Sequence, residues 1–297
     1  MREDKKPAEI ILEKAQSTFK FKLTHPEKIL YPEDKITKQM VADYYVWIAP
    51  KILPFIRNRP LSIVRCPENY QKSFYQKHIN GATPKEIFGT KLDKDIYIKD
   101  VAGLMTLIQL GTLEIHPWGS QISHVDSPDV ITFDLDPAPE VKWSAVVEAA
   151  FLIKSYLEKI NLVSFVKTTG GKGLHVVVPI KPNHHWAAIK NFTHTFVDYI
   201  VAQAPKKYIA EMSKVKRKGK IFIDYLRNQR GATSVSAYAT RARIHAPIST
   251  PLAWDELTDH FDDTFYTLQT LPQRLNNLKV DPWQEFFNLA QRINLDK

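Results

Sequence analysis

Two aspartates separated by one residue close the β-prone run ITFDLDPAP, residues 131–139. Side chains alternate faces along a strand, so Thr132, Asp134 and Asp136 share one face while Ile131, Phe133 and Leu135 take the other. Pro137 then ends the strand. Neighbouring carboxylates repel and resist losing water, so such a pair on an inner face needs a cation, and hard, oxygen-preferring magnesium or manganese suits it. A bare D-x-D is more often a solvated strand end. Asp224 changes the weighing, because it closes a second apolar β-prone run, KIFIDYL, and offers a third carboxylate from another strand. Two cations bridged by such groups can activate an attacking hydroxyl and stabilise a leaving pyrophosphate. Acidic triads serve phosphodiester hydrolysis equally well, so building and cutting a chain both remain open on this pattern.

The segment KTTGGKGLHVVVP places three of the ten glycines between two strand-like runs. Backbone N–H groups at Gly170, Gly171 and Gly173 can approach phosphate oxygens there, with Thr169 adding a hydroxyl, Lys172 a charge and His175 a ring nitrogen. The spacing is neither a Walker A loop nor a Rossmann fingerprint, and a hairpin turn reads the same. In TLEIHPWG, Glu114 and His116 share a strand face with Trp118 next along it. Basic residues crowd SKVKRKGK (Lys214, Lys216, Arg217, Lys218, Lys220) just ahead of Asp224. Arg227, Arg230, Arg241 and Arg243 follow, a density of guanidinium groups suited to bidentate phosphate contacts. Arg65 and Lys77, with Phe74 and Tyr75, combine charge with flat surfaces on which bases stack.

These groups need a scaffold. Met1 to about Ser17 shows mixed charges and a short helical pattern, so residues 1–20 are expected to form a loosely attached tail. Residues 21–297 are expected to form the body. Thr37 is placed to cap a helix with Val41, Tyr44, Tyr45 and Ile48 on one face, which Pro50 and Pro54 should break. LSIVRC, KSFYQKH, DIYIKD, TLEIHPW and VITFDLD read as short strands. Ser144 is placed to cap a helix bearing Val146, Ala149, Ala150, Ile153, Leu157 and Ile160. LVSFVKT and LHVVVPI flank the Gly-rich loop as strands. A helix from about Trp186 to Ala202 carries Ile189, Phe192, Phe196 and Ile200. Beyond Pro251 the pattern predicts helices, with Asp281 and Pro282 opening one before Trp283, Phe286, Phe287 and Ala290. The expected architecture is α+β, with mixed and antiparallel sheets in two intimately packed subdomains that share one cleft.

Composition agrees with a folded chain: 297 residues, 44% hydrophobic and 25% charged. The 41 Lys and Arg against 32 Asp and Glu leave a net charge of +9, which suits a polyanion or a membrane-facing patch. Cys66 is the single cysteine, so no intramolecular disulfide can form. The first residues lack a signal-peptide core, and no apolar run is long enough for a membrane span. A cytosolic or nuclear setting is expected.

The segments HPEKILYP, RP followed by RC at Arg65, SFYQKH, LEIHPWGS, ITFDLDP, TTGGKGLHV, DYLRNQRGATSVSAYATRAR and STPLAWDEL occur in this order. From about Phe21 onward the chain resembles the polymerase domain of bacterial ATP-dependent DNA ligase D, within the archaeo-eukaryotic primase superfamily. The resemblance implies a primase-like core that polymerises on a template during non-homologous end joining, using nucleoside triphosphates with a leaning to ribonucleotides and manganese. Asp134, Asp136 and Asp224 match its metal triad, for Mn2+ or Mg2+. Thr169 and His175, with Gly170, Gly171 and Lys172, match the triphosphate loop; the family more often has serine where Thr169 stands. His116, Arg217, Arg227 and Arg241 match positions around nucleotide and metals. Lys28 and Lys38 match a 5′-phosphate grip at a gap or DNA end, and Arg65, Phe74 and Tyr75 match a template-side cluster in which the second aromatic is often Phe. Ku and a DNA ligase are the partners the resemblance implies, in a bacterial, nucleoid-associated setting. No ligase or phosphoesterase motif accompanies them, so the chain reads as a domain of a larger ligase or a stand-alone relative. A metal-dependent nuclease and a non-catalytic 5′-phosphate end-binding module are the alternatives.

Overall fold

The computed structural model describes residues 8–14, 17–259 and 266–295. Strands β1 (Ala8–Lys14) and β2 (Ser17–Leu23) pair antiparallel, with Leu12 opposite Phe19 and Ile10 opposite Phe21. The short helical pattern expected before Ser17 therefore gives way to a ladder. Phe19, Phe21 and Leu23 recur every second residue, the period of a strand.

A small hairpin, β3 (Ile29–Tyr31) and β4 (Ile36–Thr37), leads into α1 (Lys38–Ile56). Thr37 caps this helix as expected, its Oγ1 accepting the Met40 N–H at 3.3 Å. Pro50 and Pro54 do not break it. They stand four residues apart on one outward side, so both missing donors fall together, while Ile48, Ala49, Ile52 and Ile56 bury the opposite stripe.

The first main sheet contains β5 (Leu61–Arg65), β6 (Phe74–Gln76), β7 (Phe88–Gly89), β8 (Ile96–Tyr97) and β9 (Thr112–Pro117). Its order is β6-β5-β8-β7, with β9 also paired to β5. Helix α2 (Val101–Gln109) packs behind it, capped by Asp100, whose Oδ1 accepts the Gly103 N–H at 3.0 Å. The sequence pattern does not reveal this helix, because Gly103 through Ile108 are all buried and leave no polar stripe to mark the helical period.

The second sheet has six strands in the order β13-β14-β10-β12-β11-β15. These are β10 (Val130–Pro137), β11 (Phe165–Thr168), β12 (Leu174–Pro179), β13 (Tyr208–Ile209), β14 (Ile221–Asp224) and β15 (Pro251–Leu252). All pairings are antiparallel except β13 with β14. Helices α3 (Trp143–Lys159) and α4 (Trp186–Gln203) cover one face, burying Ile131, Phe133, Leu135, Val176, Ile153 and Val197 in one core. Helix α3 starts one residue before Ser144, with Lys142 at its N-cap and no side-chain cap bond, so Ser144 lies inside the first turn instead of capping it.

On the opposite face of this sheet, Phe165 and Val177 join the core built on α1, α2 and the first sheet. Thr132, Asp134, Asp136, Lys167, His175 and Asp224 share that face, and they form one wall of the cleft. The chain after Pro251 is less helical than expected. Residues 251–252 are β15, α5 spans Leu271–Asn277, and residues 282–288 form successive turns in which Asp281 Oδ1 accepts the Trp283 N–H at 2.9 Å. The rings of Trp283 and Phe286 stack 4.8 Å apart, and both pack against Phe165 in the core. Among the described residues no helix is long and apolar enough to cross a membrane.

Candidate active site

Strand register assembles the site. Asp134 on β10 lies opposite Asp224 on β14 and His175 on β12, and His175 in turn lies opposite Lys167 on β11. Directly paired residues point to the same side of a sheet. Asp224, Asp134, His175 and Lys167 thus form a row across four strands, with Asp136 on the same face two residues further along β10.

Burial and charge act on this row together. Burial alone would raise the Asp134 carboxyl, but the His175 ring, Arg227 and Lys167 hold it well below the usual carboxylate range. His175 Nε2 stands 3.4 Å from Asp134 Oδ1, and burial lowers its ring to about 4, so the imidazole is neutral near pH 7. Arg227 Nε, 3.1 Å from Asp134 and 3.2 Å from Asp224, is then the cation that keeps Asp134 ionised. Burial raises Asp136, the like charge of Asp134 adds to that, and Arg217 at 3.0 Å opposes it. Asp224 is raised chiefly by burial, with Arg227 opposing.

The three carboxylates are therefore interleaved with Arg217 and Arg227. Among the described residues no three His, Cys, Asp or Glu side chains converge as a ready-made metal centre. The donor chemistry still fits a hard divalent ion, because the carboxylate oxygens are anionic, share one face and already draw positive charge. Holding an ion there requires the two guanidinium groups to give way.

The Gly-rich segment is the turn between β11 and β12. Thr169 N–H donates to Gly173 O at 3.1 Å, and Thr169 Oγ1 accepts the Gly173 N–H at 3.3 Å. Its glycines serve close packing. A Cβ on Gly173 would lie 2.0 Å from Leu135 O, and one on Gly170, where φ is +63°, would lie 2.8 Å from Arg241 Cγ. The turn thus lets β12 approach β10 and seats Arg241, whose Nη1 donates to Thr169 O.

The other wall comes from β9 and the segment after β14. Glu114 Oε2 lies 2.7 Å from His116 Nε2 and 3.0 Å from Arg241 Nε. One cavity of about 330 Å³ is lined by Asp134, Asp136, Thr169, Lys172, Gly173, His175, His116, Tyr75, Arg227, Arg241 and Arg243, together with residues 233–235. Most of the sequence-derived set is gathered here. Arg217 joins through Asp136, with its guanidinium 3.7 Å from the Phe222 ring centre. Gly170 packs beneath Arg241, while Gly171 opens onto a neighbouring groove shared with Lys172 and Arg243.

Other expected residues lie apart from the cavity lining. Arg65 stacks 5.3 Å over Phe74 and donates to Leu110 O and Gln76. Lys28 donates to Pro67 O, and Lys38 donates to Thr24 O at 3.0 Å and Gln109 O at 2.9 Å. Lys167 escapes the motif reading, and Glu114, noted there only as sharing a strand face with His116, takes on a larger part. Lys167, 3% exposed, extends the polar row, and Glu114 holds the opposite wall. The strand parity of Lys167 carries a faint signal; its register with His175 carries none in the sequence.

The family model of the LigD primase-polymerase domain matches residues 37–283. The multifunctional non-homologous end joining protein LigD of Pseudomonas aeruginosa is 34% identical over 284 residues, covering 92% of this chain and 34% of that protein. The bifunctional LigD of Bacillus subtilis is 26% identical, covering 92% of this chain and 45% of its own length. The chain therefore spans between a third and a half of these two relatives. In fold, it superposes on the polymerase domain of Mycobacterium tuberculosis ligase D, solved in complex with DNA. The TM-score is 0.81 at 24% identity, over 90% of this chain and 98% of that one. Ordered motifs, a matched family model and a shared two-sheet architecture together make this chain a member of the LigD primase-polymerase domain family.

Proposed function

We propose that this chain is a template-directed nucleotidyltransferase. It adds nucleotides, ribonucleotides by preference, to 3′ ends at gaps or double-strand breaks that carry a 5′-phosphate, during non-homologous end joining in the bacterial nucleoid. The observation that supports this reading is one polar cavity in which Asp134 and Asp136 face Lys172, Arg227, Arg241 and Arg243. A nucleoside triphosphate is a polyanion whose reacting phosphorus must meet a carboxylate-bound cation on one side and fixed positive charge on the other.

Asp134, Asp136 and Asp224 are the residues that would hold Mn2+ or Mg2+, which when bound activates the primer hydroxyl and stabilises departing pyrophosphate. Lys172, Arg241 and Arg243 neutralise the phosphate tail, with Thr169 and His175 beside it. His175 Nδ1 is buried and has no protein partner, which leaves it for a ligand. Tyr75, 69% exposed at the rim, offers a stacking surface for a base. Lys28, Arg65 and Phe74 belong to the DNA-facing side of the same proposal, with Ku and a ligase as partners. Lys38 supports the 5′-phosphate grip from beneath, its ammonium held by Thr24 and Gln109.

Primer extension on a gapped duplex with a 5′-phosphate, in manganese, with ribo- and deoxyribonucleotides side by side, tests the reading. The wild-type chain should lengthen the primer, more with ribonucleotides. Asp134→Ala and Asp136→Ala should lose at least about 1,000-fold in rate, on the order expected when the electrostatic stabiliser of a transition state is removed. Near-normal extension by both variants would sink the assignment, and shortening of the labelled strand would point to a nuclease.

A further inference from the structure

We propose that Glu114 is a positioning residue of the nucleotide cavity, a single buried carboxylate that sets the directions of His116 and Arg241 together. This rests on the reading of the cavity given above. Glu114 is 5% exposed on β9, behind the rim formed by His116 and Arg241. Its Oε2 lies 2.7 Å from His116 Nε2 and 3.0 Å from Arg241 Nε, and its Oε1 accepts the Ala242 N–H at 2.9 Å. Two N–H groups, from His116 and Ala242, and the ion-paired guanidinium of Arg241 thus take the place of water around a buried charge. Burial raises its pKa, but the His116 bond and the Arg241 charge outweigh that and bring it to about 2.

Two consequences follow from the chemistry of the donors. An ionised carboxylate only accepts, so His116 carries its proton on Nε2, and the neutral ring leaves Nδ1 as an acceptor. The guanidinium of Arg241 is planar, so fixing Nε aims the rest of the fork, and Nη1 reaches Thr169 O in the Gly-rich turn. Tyr31 OH steadies the same residue by donating to Arg241 O at 2.8 Å. Glu114 therefore links the first sheet to the turn that lines the far wall. Its partner Ala242 is 128 residues away in sequence.

Glu114→Gln keeps the volume but removes the charge beside Arg241 and can present an amide N–H to the His116 donor. Nitrogen-15 NMR of the His116 ring should find the proton on Nε2 in the wild type and a mixed or reversed tautomer in E114Q. An unchanged tautomer overturns the proposal. Fluorescence titration with ATP and manganese, without DNA, should show about tenfold weaker binding by E114Q, the scale of one charged hydrogen bond. That loss should disappear when Glu114→Gln is added to a His116→Ala/Arg241→Ala background, whereas full additivity would mark a merely structural role and overturn the proposal. Thermal unfolding confirms that each variant is folded, and Glu114→Asp, which keeps the charge, should recover part of the affinity and replaces E114Q if the latter unfolds. If wild-type chain binds no ATP while E114Q still shifts the His116 tautomer, the nucleotide reading fails and the positioning role stands.

Discussion

Two buried lysines divide the molecule into regions with opposite electrostatic economies. At the corner where α1 begins, Lys38 is 6% exposed and its ammonium meets Thr24 O, Gln109 O and Gln109 Oε1 at 2.9 to 3.2 Å. On the cleft wall, Lys167 is 3% exposed, and among the described residues its ammonium donates one hydrogen bond, to Ser249 Oγ at 2.6 Å. Burial lowers both pKa values, to about 8 for Lys38 and well below the ordinary lysine range for Lys167. The difference lies in how each charge is compensated. Fixed oxygens surround Lys38, so it ties the segment before β3 to the end of α2. Lys167 faces a row of exchangeable charges, which is the arrangement a polar site needs when its ligand is to complete the neutralisation.

The largest expected effect sharpens the cleft side. Gly173→Ala would drive a Cβ to 2.0 Å from Leu135 O and part β10 from β12, spoiling the Asp134 to His175 register. It should cost about 3 kcal/mol in urea unfolding and about 100-fold in extension rate. A variant with normal stability and rate would show that the row does not depend on this close approach.

Next comes the corner. Lys38→Met strands two backbone carbonyls and should cost on the order of 1–3 kcal/mol. The pH dependence carries its own sign. The folded pKa near 8 lies below the ordinary 10.5, so between those values the unfolded chain binds more protons and stability rises with pH. Below pH 8 both states are protonated and the burial penalty is complete. Wild type should therefore gain stability relative to Lys38→Met from pH 8 to 10. Parallel urea midpoints for the two proteins over that range would contradict this account.

The smallest effect on stability is expected at Lys167. Lys167→Met removes a sparsely partnered buried charge and should leave unfolding within about 1 kcal/mol of wild type, or raise stability. Extension should nevertheless fall by roughly 10- to 100-fold. A loss of stability as large as that of Lys38→Met would erase the distinction between the two regions.

Local periodicity already held much of this. Alternation in ITFDLDP placed Asp134 and Asp136 on one face, and Thr37 announced α1. The ordered motifs carried the family resemblance and named Thr169, His175, His116, Arg227 and Arg241, all of which line one cavity. Where periodicity failed, packing had overridden it. Helix α2 hid because it is buried all round, Pro50 and Pro54 were absorbed on the outward side of α1, and residues 282–288 bury Trp283 and Phe286 from successive turns.

A strand's own residues determine which face each side chain takes, but they do not name the neighbouring strand or its register. The pairing of Asp134 with both Asp224 and His175, the interleaving of the aspartates with Arg217 and Arg227, and the contacts of Glu114 with Arg241 and Ala242 all join residues distant in sequence. The chemistry of the groups was therefore determined by the sequence itself. Which charges meet, and which are left for a ligand, was decided only by the tertiary structure, because burial and long-range pairing set the field in which each group sits.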